Sequence, residues 1–275
     1  MAENSWTVTA PQTIEAGGVA SLKLGIVRGR FDITTHDGDT VRIQVSEIQG
    51  DPVSVSLADG RLEVRHQLHG AQGWFRNLMG TVNNSSANSV VLSLALPAGV
   101  EVEAGTVSGR GRVSATSGRT RLSTVSGSVL AEGTTGSLVV STVSGAVVAR
   151  NHCGTLTARS VSGEVRASGE FAHVRAHTVS GDLSFDLHGF THDFGANSVS
   201  GDVTVRLPHD VGVDIVAKSV AGAVVIDDQK YLQPGGTVQT IAGPDAQLML
   251  VRTNSVSGTT SIFHNGPARD SGTGQ

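Results

Sequence analysis

Glycine returns every nine residues at Gly109, Gly118, Gly127, Gly136, Gly145, Gly154 and Gly163; Ala172 holds the next slot and Gly181 resumes the count. A second period lies over the first. Val-Ser-Gly stands at Val107–Gly109, Val125–Gly127, Val143–Gly145, Val161–Gly163 and Val179–Gly181, eighteen residues apart, with TSG, TTG, HCG and EFA in the slots between. A chain that repeats in this way folds as stacked coils. One coil is eighteen residues long and has two unlike nine-residue halves.

Within a coil, the second and fourth residues after each glycine are mostly apolar. They read Val129 and Ala131, Leu138 and Val140, Val147 and Ala149, Leu156 and Ala158. The flanking positions are mostly polar, so each half-coil is a short strand with alternate residues turned inward. Each buried Val or Leu contributes about 1.5–3 kcal/mol. A single coil so thin cannot offset its ordering entropy, and stability must come from its neighbours. Glycine serves the turns by accepting φ > 0 or by letting backbones approach, and the Ser or Thr beside it bonds to local backbone. The valine of each VSG is expected to plug one edge of the coil. Cys153, in a small-residue slot before a repeat glycine, reads as an inert buried thiol.

Stacking at eighteen residues sets Arg112, Leu130, Val148, Arg166 and Ser184 in one outward row and Ser114, Glu132, Arg150, Ser168 and Asp186 in another. Glu132 beside Arg150 is expected to form an exposed pair worth about 0–1 kcal/mol. Leu130, Val139 and Val148 point outward as an apolar patch, to be covered by the N-terminal strands or another part of the chain, or used for self-association or docking. Arg110, Arg112, Arg119 and Arg121 form a basic patch on the first coil, a solvated rim or a surface for an anionic partner. The segment GWFRNLMG, residues 73–80, gathers Trp74 and Phe75 and reads as a capping flap or a membrane- or partner-contacting tip.

Along the chain, residues 1–24 form an N-terminal strand or extension. Residues 25–98 read as an antiparallel strand meander that includes one early half-coil and the flap. The β-solenoid coils occupy 99–263, and 264–275 is a disordered tail. The run that begins Leu96-Pro97 returns, two residues longer, at Leu207-Pro208, so each copy is expected to start a run of coils.

Composition narrows the functions. A net charge of −4 leaves no broad basic field for nucleic acid. The chain does not open with a basic start followed by an apolar run, and no stretch is long enough to span a bilayer. The chain therefore reads as cytoplasmic, with peripheral envelope association as the other location. No metal or cofactor is expected. His188, His192 and Asp193, or His173 and His177, lack a third ligand at a fixed spacing. Carboxylates follow the glycine only at Glu164, Asp182 and Asp202, too few for the calcium-binding turns of nonapeptide β-rolls. Asp182 and Asp202 could approach one another as the carboxylates of a solenoid glycosidase, with Asp186 or Asp193 joining them; hydrogen-bonding of the turn is the plainer role.

The tandem TVSG and SVSGDV coils, the Leu-Pro turns and the preceding alternating strands resemble the bacterial putative-adhesin family, also called the toast-rack domain, over roughly residues 25–263. The resemblance implies a right-handed parallel β-solenoid with no established catalytic residues, and relatives tied to the cell envelope and membrane stress. On this reading the chain is not an enzyme. It is a non-catalytic scaffold or protein-interaction module that engages another protein or a second copy. An exported adhesin-like surface protein and a carbohydrate-active solenoid enzyme are the alternatives; carbohydrate as a ligand has no motif behind it.

Overall fold

The computed structural model describes residues 4–66, 88–227, 229–231, 236–244 and 248–265, and every regular element among them is a strand. The N-terminal third holds β1 (Asn4–Val8), β2 (Gln12–Gly17), β3 (Ser21–Ile26), β4 (Gly29–His36), β5 (Thr40–Gln49), β6 (Val53–Ala58), β7 (Arg61–His66) and β8 (Ser89–Pro97). The repeats hold β9 (Glu101–Thr106), β10 (Arg110–Ser114), β11 (Ser117–Thr124), β12 (Ser128–Glu132), β13 (Thr135–Thr142), β14 (Ala146–Ser160), β15 (Val165–Thr178), β16 (Leu183–Leu187), β17 (Asp193–Ser198) and β18 (Val203–Leu207). The last part holds β19 (Gly212–Ser219), β20 (Val224–Ile226), β21 (Gln229–Tyr231), β22 (Gly236–Ala242), β23 (Leu248–Ser255) and β24 (Thr260–His264).

These strands build two walls. Wall I runs β2–β5–β8–β4–β10–β12–β14–β15–β16–β18–β24–β20–β21. Wall II runs β1–β6–β7–β3–β9–β11–β13–β14–β15–β17–β23–β19–β22. The long strands β14 and β15 each bend through a corner and serve both walls, so the two walls are equally tall. The eighteen-residue register holds as the glycine period requires: Arg112, Leu130, Val148, Arg166 and Ser184 stand side by side. The fold is a β-solenoid.

The core is a thin layer between the walls. Val129, Ala131, Leu138 and Val140 are buried as the alternation demands, and the pattern continues into the N-terminal strands at Val8, Ile33 and Val64. Where the repeat departs from Val or Leu, a neighbour explains it. At Gly111 an added Cβ would lie 2.2 Å from the ring of Phe31, which fills that slot from the coil below. Phe185 and Phe194 meet edge to face across the core at 5.1 Å between ring centroids. The interruption at Ala172 is a bulge: Gly154 pairs Phe171 and Thr155 pairs His173, which leaves Ala172 as the extra residue.

The strand order corrects the expectation that coils follow one another along the chain. From β10 to β11 the chain moves up one layer, but each Leu-Pro turn passes over a layer. The layer skipped between β8 and β9 is filled by β3 and β4, and the layer skipped between β18 and β19 by β23 and β24. The second Leu-Pro turn therefore does not start a run of coils. His264, expected in a disordered tail, ends β24; its Nδ1 lies 2.6 Å from Asp227 Oδ2 and its Nε2 2.8 Å from the Val211 carbonyl. The flap at residues 73–80, with Trp74 and Phe75, lies outside the described residues, as does most of the tail.

Candidate functional site

The VSG turns line one edge of the rod, and three sets of contacts shape them. The residue before each of these valines buries a hydroxyl, and in most turns it closes the turn: Thr142 and Thr178 donate to the carbonyls of Gly145 and Gly181 at 2.8 Å, and Ser255 donates to that of Gly258 at 2.6 Å, whereas the Thr124 hydroxyl is buried without a partner. The serine bonds to the coil below. Ser126, Ser144, Ser162 and Ser180 donate from Oγ to the carbonyls of Val107, Val125, Val143 and Val161 at 3.1–3.2 Å. Glycine is needed because the stacked turns nearly touch. A Cβ at Gly127 would stand 2.1 Å from the Gly109 carbonyl oxygen, and one at Gly145 2.1 Å from that of Gly127.

With the hydroxyls inside and the glycines stacked, the valine has no inward place. This overturns the expectation that it plugs the edge. Val161, Val179, Val199 and Val256 are 47–48% exposed and Val220 59%. Hydrogen bonds from each following residue to the valine carbonyl below thread Val27, Val107, Val125, Val143, Val161, Val179, Val199, Val256 and Val220 into one row. At one strand spacing per step the row is about 38 Å long. Val27, Val107, Val125 and Val143 at one end of the row are half-buried, and the five valines from Val161 through Val220 form an exposed apolar ridge with Ser and the carboxylates of Asp182 and Asp202 beside it. Its signal was in plain view, a valine at one fixed phase of the eighteen-residue repeat; an apolar residue in a regular pattern was assigned to the interior by default.

The other predicted surface residues do not come together as expected. Leu130 and Val148 are neighbours on wall I, whereas Val139 stands on wall II between Arg121 and Thr157. All three are half-buried by the rows they stand in. The N-terminal strands do not cover them, because β4 extends wall I beside β10 rather than lying across it. The four arginines split likewise. Arg110 and Arg112 are on wall I; Arg119 and Arg121 are on wall II, where with Arg61, Lys23, Glu101 and Glu103 they line a depression of about 200 Å³. Glu132 pairs with Arg112, diagonal to it on the neighbouring strand, at 2.7 Å and not with Arg150, which stands directly beside it in the same row. Cys153 is exposed, since the buried slot of its corner is taken by His152, one residue earlier.

The candidate acid–base groups are occupied by structure. Asp182 Oδ1 accepts the backbone N–H of Asp202 at 3.1 Å, and Asp202 Oδ1 accepts that of Thr259 at 2.7 Å, so each carboxylate caps a turn in the next coil. Asp186 lies near His188 on wall I, and Asp193 pairs with Arg175 on wall II; neither joins Asp182 and Asp202. The rings of His173 and His192 lie 5.7 Å apart with Phe190 against His192. His177 instead meets Asn197, which meets Asn254. Among the described residues no three His, Cys, Asp or Glu side chains converge on a metal position, and no helix is long and apolar enough to cross a membrane. Two histidines are displaced from ordinary titration. Burial lowers the pKa of His152, whose Nδ1 accepts from Thr134 Oγ1 at 2.9 Å and whose Nε2 donates to the Thr155 carbonyl, and burial likewise lowers that of His66.

Two walls of in-register strands, a glycine-stacked edge and a bare valine ridge define a β-solenoid of the toast-rack class. Residues 23–262 match the family model described as Toastrack DUF4097, and the chain belongs to that family. No curated protein matches the sequence. Among solved structures, it is similar to a putative lipid binding protein from Parabacteroides distasonis at 15% identity and a TM-score of 0.56, covering 94% of this chain and 98% of that one. It also matches a putative cell adhesion protein from Clostridium sporogenes at 14% identity, TM-score 0.32, covering 93% and 100% of the two chains. A putative adhesin from Bacteroides fragilis matches at 11% identity, TM-score 0.38, covering 94% and 98%.

Proposed function

We propose that the protein is a non-catalytic scaffold of the bacterial cell envelope or its stress systems, and that it docks a protein partner along the valine ridge. The ridge is the observation that carries this reading. A soluble surface rarely keeps a long contiguous apolar strip without a use for it, and here the strip repeats at the one position the turn geometry leaves free. The walls beside it give stiffness and a fixed 4.8 Å spacing of about one valine per layer. Against catalysis stand Asp182 and Asp202, each committed to a backbone amide of the next coil.

The test is site-specific photo-crosslinking in the native host. A crosslinker placed at Val161, Val179 or Val199 is expected to trap a discrete protein, while the same group at Ser184 or Thr204 on wall I traps none. Equal yields at all five positions, or none at any, would remove the ridge as a docking site. Replacing Asp182 and Asp202 together by Asn is expected to leave every glycan-processing assay unchanged; loss of such an activity in a folded protein would overturn the non-catalytic reading.

A further inference from the structure

The ladders stop at the two ends of the rod, and both walls stop level. At one end the outermost strands are β1 on wall II and β2 on wall I; at the other they are β22 and β21. Among the described residues each pairs on one side only. Their directions matter. Two antiparallel steps separate β1 from β7 and β2 from β8, so β1 and β2 run with the stacked parallel strands. One antiparallel step separates β22 from β19 and β21 from β20, so these two run against them. A second copy shifted along the rod axis thus meets the first in antiparallel pairing on both walls at once.

Unpaired edge strands in soluble proteins are usually guarded by charge, proline or a bulge. Among the described residues, the wall II edge strands have none of these. Strand β22 reads Gly-Thr-Val-Gln-Thr-Ile-Ala and β1 Asn-Ser-Trp-Thr-Val, without a charged residue or a proline, and Ile241 is 58% exposed. The wall I ends are charged, with opposite sign. Lys230 is the middle residue of the three-residue β21, and Glu15, which also pairs with Arg42, sits on β2. Lys230 stands in the row of Leu130 through Val225, Ser261, Thr204 and Ser184, and Thr13 stands in that row at the far end through Gln44 and Ser93. Glu15 is two residues along the strand from Thr13, on the same outer face. End-to-tail contact therefore sets Lys230 near a carboxylate, whereas two C-terminal ends meeting would set Lys230 against its own copy, a like-charge pair that destabilises a sheet.

We propose that copies of this chain stack head to tail, β22 of one pairing antiparallel with β1 of the next while β21 meets β2 on the other wall. Such an interface is heterologous and does not close, so it builds filaments. Stacking would also run the valine ridges of successive copies along one line. The end surfaces lie apart from the ridge, and either can fail without the other.

Sedimentation velocity over a wide concentration range tests the idea on the full chain. The wild type is expected to populate integer multiples of the single-chain mass that lengthen with concentration. Thr237→Lys with Gln239→Lys and Ser5→Lys with Thr7→Lys, combined in one protein, should return it to a single chain at low salt. The same β22 lysines combined with Ser5→Glu and Thr7→Glu should give longer assemblies than the wild type, an effect reversed by salt. Circular dichroism and melting keep the fold in view, since all four positions are exposed. A wild type that stays single at every concentration overturns stacking. So does a Lys/Glu protein that stops at two copies or behaves like the all-Lys one, because only head-to-tail contact brings the two altered ends together.

Discussion

The two edges of the rod turn the same chain by opposite means. On the VSG edge no glycine of the repeat has positive φ; Gly109, Gly127, Gly145 and Gly163 are needed because successive turns stack within about 2–3 Å of where a Cβ would be. On the opposite edge the backbone itself is left-handed. Ala115, Gly133 and Asn151 share one corner position at φ of 57°, 60° and 51°, and Gly118, Gly136 and Gly154 follow at 96°, 94° and 138°. The two edges differ inside as well. The left-handed corner buries Thr116, Thr134 and His152, whereas the VSG edge puts its valines outside. One residue type at one spacing thus answers two demands, close approach on one side and chirality on the other.

The largest break in this comparison should come from Gly127→Val. Its Cβ would collide with a backbone carbonyl that cannot rotate away, and a loss of at least about 3 kcal/mol in chemical denaturation is expected, enough to rank among severe point changes. The adjacent Ser128→Val, exposed on wall I, should shift stability by no more than about 0.5 kcal/mol. Gly118→Ala tests the other edge. Nothing lies within 4 Å of its Cβ, so only the left-handed φ is strained, at about 1–2 kcal/mol. A Gly118 change as damaging as the one at Gly127 would erase the distinction.

Acid should weaken the left-handed edge first. Burial keeps His152 neutral in the folded state with its pKa lowered, so its contribution is fully present above the unfolded value near 6.5 and is lost as pH falls through the folded value. The urea midpoint is expected to drop from pH 7.5 to 5, and His152→Thr, which restores the residue of the layers below, should flatten the slope, leaving the part due to His66. An unchanged slope in that variant would place the acid sensitivity elsewhere. The smallest effect is expected on the VSG edge: Val179→Ser should leave the melting temperature within a degree or so, since about half of the side chain is already in water. Substantial destabilisation there would mean the ridge is part of the core after all.

Much of the architecture is legible in the sequence. The nine- and eighteen-residue periods predicted coils, strand faces and the register of Arg112 with Leu130 and Val148, because stacked parallel strands must repeat at the length of a coil. The candidate surface was legible in part. Leu130 and Val139 face away from the buried rows, but a period says nothing about which outward residues share a wall, and the eight residues between these two carry the chain around a corner. The valine ridge was missed because hydrophobicity was taken as a guide to burial. At a turn, the buried places had already gone to hydroxyls that hydrogen-bond the backbone, which an apolar side chain cannot do.

The sequence by itself determined the coil length, the inward-facing residues and the two-sided character of each coil, since these follow from local alternation and from glycine at fixed intervals. Only the tertiary structure decided that β3–β4 and β23–β24 fill layers skipped by the Leu-Pro turns, that the glycines divide into two kinds, and that, among the described residues, β1 and β22 pair on one side only. Those features depend on which distant segments lie side by side. Parallel strands of similar Val, Leu and Ala content can pair in many orders, and the choice among them rests on how the whole stack fits together.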